Sequence, residues 1–147
     1  MNFRNTAVLI ALVIMSVGML GIAGLYVQSM QAGRTSMFRH HAVNLAGDVA
    51  DRIRANPTAG AAYAAAVGAN NNCVAMGSNC SPGQMAANDI LVWKDQAGEA
   101  LPGGDVAVVF TAAAGGTPPT YQITVTWTEP GQVPAPNYSI TIPVLSI

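Results

Sequence analysis

Apolar residues fill the stretch from Ala7 to Val27, and no charge falls between Arg4 and Arg34. A helix needs about 20 such residues to cross a bilayer, so this run predicts a membrane helix at the start of the chain. The helical pattern then continues with a different character. Phe38, Ala42, Leu45, Ala46, Val49 and Ile53 recur at intervals of three and four, which makes a single apolar stripe. Asp48 and Arg52, four apart, are expected on the outer side in the order that favours an ion pair. Asn56-Pro57 ends the helix, because proline disfavours helical geometry in the residue before it. One continuous helix is therefore expected from near Thr6 to Ala55, about 75 Å long at 1.5 Å per residue. Gly18, Gly21, Gly24 and Gly33 weaken it by about 1 kcal/mol each in water. Their spacing also lets helices approach closely in lipid, although any one of them is ordinary membrane-helix composition.

From Thr58 to Asn72 the chain is rich in Ala, Gly and Asn and reads as a loop with one helical turn around Ala61 to Val67. Ser81-Pro82-Gly83-Gln84 reads as a helix start, with Ser81 as cap, Pro82 at the first helical position and Gln84 completing a capping box. That helix would carry Ile90, Trp93, Ala97 and Leu101 on one side and stop at Leu101-Pro102-Gly103-Gly104. Beyond it the period becomes two. Val106, Val108 and Phe110 alternate with other residues, as do Tyr121, Ile123, Val125 and Trp127, and then Tyr138, Ile140, Ile142 and Val144. These are half-buried strands, joined by Gly/Pro loops at Ala113 to Pro119 and Glu129 to Pro136. Three such strands make an antiparallel meander with one apolar face, and a helix with an apolar stripe is its natural cover. The fold class is α+β.

The apolar run exceeds the 7–15-residue core of a secretory signal. Only Gly21-Ile22-Ala23 resembles a cleavage site, so a secreted soluble domain beginning beyond Gly21 is a third reading. Arg4 lies before the run and Arg34 and Arg39 after it, which leaves orientation open under the positive-inside rule.

Composition adds three points. Among 147 residues, six are basic and seven acidic, for a net charge of −1, so the chain carries no basic footprint for nucleic acid. That charge content is well below the usual quarter or so, which fits either a surface that meets protein or simple sequence bias. The only cysteines are Cys73 and Cys80. In an oxidising compartment they would pair; zinc would need two further ligands at motif spacing; free thiols are the remaining option. His40-His41 with Asp48 and Asp51 is the one cluster that suggests a metal. Adjacent histidines point about 100° apart on a helix, whereas a shared metal asks for i, i+4 spacing, so solvated or interfacial histidines are the simpler reading. No Ser, Cys or Lys stands in a recognisable pattern with a base. Gly115-Gly116 belongs to a hairpin, not a phosphate loop, and Trp93 and Trp127 read as core. No enzyme, cofactor or small-molecule substrate is expected.

Phe3 followed by Ala7-Val8-Leu9-Ile10-Ala11-Leu12-Val13 resembles the N-terminus of type IV prepilins. Gly18 to Leu25, Ala50-Asp51-Arg52-Ile53-Arg54-Ala55-Asn56, Ser81 to Gln84, Asp89, Trp93 and Leu101 to Gly104 resemble the PilV-type minor pilins of type IV pili. The resemblance covers nearly the whole chain, and the heptad from Ala50 is its most specific part. It implies a type IV pilin-like fold with a membrane and assembly stem at residues 1–30, which includes Ala7, Val8, Leu9, Ile10, Leu12, Val13, Leu20 and Leu25. An amphipathic continuation follows at 31–56 and a globular head at 57–147. It further implies a non-catalytic minor pilin in a tip or priming complex, with methylation and with prepilin peptidase cutting between Asn2 and Phe3. The implied partners are other minor and major pilins and the inner-membrane assembly machinery. The implied location is the bacterial inner membrane, with the head in the periplasm, or the surface pilus. Two positions depart from the family. Prepilins carry glycine where this chain has Asn2, and glutamate where it has Ala7. The alternatives are a membrane-anchored periplasmic binding domain that does not polymerise, or a type II secretion pseudopilin.

Overall fold

The structure is a computed structural model and describes residues 3–144. In chain order it has helix α1 (Phe3–Ala55), a 3-10 segment (Pro57–Ala64), helix α2 (Pro82–Ala100) and strands β1 (Asp105–Thr111), β2 (Thr120–Thr126) and β3 (Asn137–Pro143). The chain divides into two compact units, Met1–Met37 and Phe38–Ile147, and α1 runs through both. It begins three residues earlier than the sequence pattern suggested. It continues unbroken through all four glycines of its first half, whose surroundings leave room for a side chain at each. α1 is long and apolar enough to cross a membrane.

The second unit holds the core. Ala42, Ala46, Val49 and Ile53 from α1 are buried in one cluster with Ile90, Trp93 and Ala97 from α2 and Val106, Ile123, Val125 and Ile142 from the sheet. The sheet is a meander in the order β1-β2-β3, both pairs antiparallel. The central strand takes the deepest positions, with Tyr121, Ile123 and Val125 fully buried. Trp127 falls just past β2, yet it too is buried, and its N–H still bonds to the Pro136 carbonyl at 3.2 Å. The α+β expectation therefore holds, helix cover included.

α2 starts where its capping residues dictate. The Gln84 N–H donates to Ser81 Oγ at 3.3 Å, and the Ser81 N–H donates to Gln84 Oε1 at 2.9 Å. Each bond satisfies a donor that the first helical turn leaves orphaned. The far end turns sharply at two glycines of different kinds. Gly103 has a positive φ of 57°, where a Cβ is strained. A Cβ on Gly104 would overlap the Ala97 carbonyl.

The segment after α1 is a correction. The helical turn comes earlier and is longer than the one expected near Ala61 to Val67, as the 3-10 helix Pro57–Ala64 one residue after Ala55, while residues 65–72 are loop as expected. Pro57 stops α1 but suits the first position of a new helix. Gly60, at φ 51°, turns the chain inside the segment, and Tyr63 buries its ring completely.

Candidate functional site

Two features stand out, one in each unit. The first is the surface of α1 up to Met37. Ala7, Val8, Leu9, Ile10, Leu12, Val13, Leu20 and Leu25 are all exposed, Leu20 to 73%. So are Ile14, Met19, Ile22 and Met30. Soluble monomers rarely expose contiguous apolar patches above a few hundred Å², so a surface of this kind needs lipid or protein around it. Few polar groups interrupt it; the Ser16 hydroxyl donates to the Val13 carbonyl at 2.8 Å, which satisfies it within the helix. Of the two residues flanking the implied cleavage point, Asn2 lies outside the described residues, and Phe3 opens α1.

The second feature is a polar lock inside the head. Asp89 is almost fully buried. Its Oδ1 accepts from Arg52 Nη1 at 3.0 Å and its Oδ2 from the Tyr63 hydroxyl at 3.0 Å. Arg52 also holds Asp48 at 3.3 Å. Asn56 Nδ2 donates to the Tyr63 hydroxyl at 3.2 Å and to the Pro82 carbonyl at 2.9 Å. One network thus ties the end of α1, the 3-10 segment and the start of α2. The Asp48–Arg52 pair exists as the spacing implied, but Arg52 is no purely outer residue: its other arm reaches inward to Asp89. Tyr63 is fixed from its sides as well. Its ring stacks on Trp93 at 5.5 Å and meets Tyr121 edge-on at 6.2 Å, and the Tyr121 hydroxyl donates to the Gly60 carbonyl at 2.7 Å.

The lock was missed in the sequence, although a signal was present. Ala86, Asp89, Ile90, Trp93 and Ala97 follow one helical stripe. A carboxylate on an apolar stripe requires a cationic or hydrogen-bonding partner, because an unpaired buried charge is prohibitively costly.

Burial, first, and then the nearby Asp89 charge push the Tyr63 phenol above its ordinary value of about 10. Burial likewise raises Tyr121. The unfolded chain therefore releases these protons at lower pH than the folded one. The resulting stability is complete below about pH 10 and is lost as pH rises above it. Thermal melts of the head should show an alkaline decline that is shallower in Tyr63→Phe, with the Tyr121 part retained. A decline identical in the variant would show that Tyr63 is not its source.

Cys73 and Cys80 form a disulfide. The loop it closes is held by tight turns, with positive φ at Asn72 and Gly77, and by the Ser78 hydroxyl against the Cys73 and Ala75 carbonyls at 2.8 Å. Closing so short a loop contributes about 2 kcal/mol. Reduction is expected to lower the melting temperature of the head by about 10 °C, and calorimetry with and without reductant checks this. His40 and His41 are exposed on α1. No group of three or more His, Cys, Asp or Glu among the described residues is placed to hold a metal.

Residues 24–91, less than half of the chain, match the family model Tt1218-like, type IV pilin Tt1218. No curated protein and no solved structure matches the chain. That region is similar to a type IV pilin. The long N-terminal helix and the small three-stranded antiparallel sheet form a type IV pilin-like α+β fold.

Proposed function

We propose that the chain is a non-catalytic minor pilin of the PilV type, which joins a type IV filament through the apolar half of α1 and works with other minor pilins in a tip or priming complex. The observation that carries this reading is the exposed apolar surface of α1, continuous in sequence with the region that matches the pilin family. In the membrane, lipid covers that surface. In a filament, neighbouring stems cover it. In this reading, residues 1–30 span the membrane, 31–56 continue the stem and 57–147 form the head.

The disulfide supports a head on the oxidising side of the membrane, the periplasm of a bacterium. In this reading Arg4 is cytoplasmic and Arg34 and Arg39 lie outside. Ala7 supports an end position. The glutamate that pilins carry there is a costly charge in lipid and calls for a partner, which the resemblance assigns to the amino terminus of the adjacent subunit. A subunit at the filament end has no subunit ahead of it to pair with, so alanine costs it nothing. Asn2 in place of glycine predicts slow or absent cutting by prepilin peptidase at Asn2-Phe3, which N-terminal sequencing of the mature chain reads directly.

The decisive experiment is to shear filaments from the cell surface and quantify this chain, alongside a deletion strain. A few copies per filament, and a fall in filament number on deletion, are expected. Absence from the filaments together with an unchanged filament number would overturn this reading and leave the alternatives, a membrane-anchored binding domain that does not polymerise or a type II secretion pseudopilin.

A further inference from the structure

A cavity of about 240 Å³ opens in the head between the end of α1 and the end of β3. Its floor is Ile53, Tyr121 and Ile142, all buried. Its rim is Arg54, Pro57, Pro143 and Val144, which are exposed or half-buried.

The walls offer little to hydrogen-bond with. Pro57 and Pro143 have no N–H. The Val144 N–H is used by the Pro119 carbonyl at 2.8 Å, and the Tyr121 hydroxyl donates to the Gly60 carbonyl at 2.7 Å. Ile53 and Arg54 lie inside α1, where the helix takes their N–H groups, and Ile142 is paired with Tyr121 in the sheet. Among the described residues, the donor left open on these walls is the Arg54 guanidinium. Its Nη1 meets Asp51 Oδ1 at 2.9 Å, but the two side chains are 56% and 78% exposed. Such a surface pair holds weakly, and one bond leaves most of the guanidinium N–H groups for another acceptor.

We propose that this cavity binds a small amphiphilic anion, a short alkyl chain that ends in a carboxylate. The chain lies on Ile53, Tyr121 and Ile142, and the carboxylate takes the Arg54 fork in two parallel bonds. The walls select for both halves. A neutral apolar ligand would cover the rim and strip water from the guanidinium without replacing its bonds. A sugar or a nucleobase would set several polar groups against a floor that has no partner for them. A cation would be repelled by Arg54. The volume keeps the ligand small, since pockets for drug-sized ligands run from about 300 Å³ upward. The proposal does not depend on the filament reading, because every wall belongs to the head.

Methyl NMR of the full chain, labelled at isoleucine and held in phosphatidylcholine nanodiscs, tests it with hexanoate as the probe. Hexanoate is expected to shift the Ile53 and Ile142 methyls along a saturable curve and to leave Ile90, on α2, in place. Hexanamide, with the same chain and no charge, should bind about tenfold more weakly, the scale of a lost charge-assisted pair. Acetate, with the charge and no chain, should not shift them. Arg54→Gln should weaken hexanoate to the level of hexanamide, with an unchanged melting temperature showing the head intact. Asp51→Asn, which removes the competing carboxylate, should tighten hexanoate and leave hexanamide as it was. A shift that grows linearly without saturating overturns the proposal. So does hexanamide binding as tightly as hexanoate, or hexanoate affinity that stays the same in Arg54→Gln.

Discussion

Asp89→Ala is expected to destabilise the head by about 3 kcal/mol, the low end of the cost of removing one partner from a buried ion pair. The low end applies because Arg52 is partly exposed and keeps Asp48, so solvent and the second carboxylate absorb part of its charge. Tyr63 loses more: its hydroxyl stays buried with Asn56 as its remaining partner. Denaturant unfolding of the full chain in detergent would show a lower midpoint with an unchanged slope. A loss below about 1 kcal/mol would mean that the network contributes little. Asp89→Ala and Tyr63→Phe share one hydrogen bond and should be less than additive when combined. Replacing Arg52 and Asp89 together by Met and Leu should restore much of the loss, because a well-packed apolar pair often equals a buried ionic one.

Gly68→Ala is expected to cost more than about 3 kcal/mol, beyond the usual range for a single added methyl. Gly68 crosses α2 at close range, and the neighbouring Ala69 N–H donates to the Ala87 carbonyl at 2.9 Å. A Cβ at Gly68 would overlap the Leu91 backbone nitrogen and the Ala87 carbonyl. Both are main-chain atoms of a helix, so no rotamer change relieves the overlap; the crossing segment must lift and give up its bond to Ala87. Gly98→Ala is the control. It lies within α2 with open space around it, and alanine there should stabilise by about 0.5–1 kcal/mol. If the two variants melt together, the close approach at Gly68 is not a constraint.

Residues governed by local chemistry were legible in the sequence. The capping box at Ser81 and Gln84, the stop at Asn56-Pro57 and the alternation of Tyr121, Ile123 and Val125 each depend on neighbours a few positions away. The apolar stem was legible for the same reason, since membrane length is a one-dimensional property. What escaped depends on distant partners. Tyr63 lies in a stretch so rich in Ala and Gly that composition reads as loop, and its role comes from Trp93, Asp89 and Tyr121. Gly68 looks like any loop glycine until α2 lies against it. Arg52 satisfied a local rule with Asp48, which hid its bond to a residue 37 positions later.

The head's core has a consequence for biosynthesis. Ala42, Val49 and Ile53 share their cluster with Ile142, which the ribosome adds about a hundred residues after Ala42. The apolar stripe of α1 is made early and finds its last cover only when β3 is complete. Contacts so distant in sequence form slowly, and a chain waiting for them presents an open edge of β2 and a partly covered stripe, features that favour aggregation. The head is thus exposed to aggregation until its last strand is made, and loss of that strand alone would leave it so.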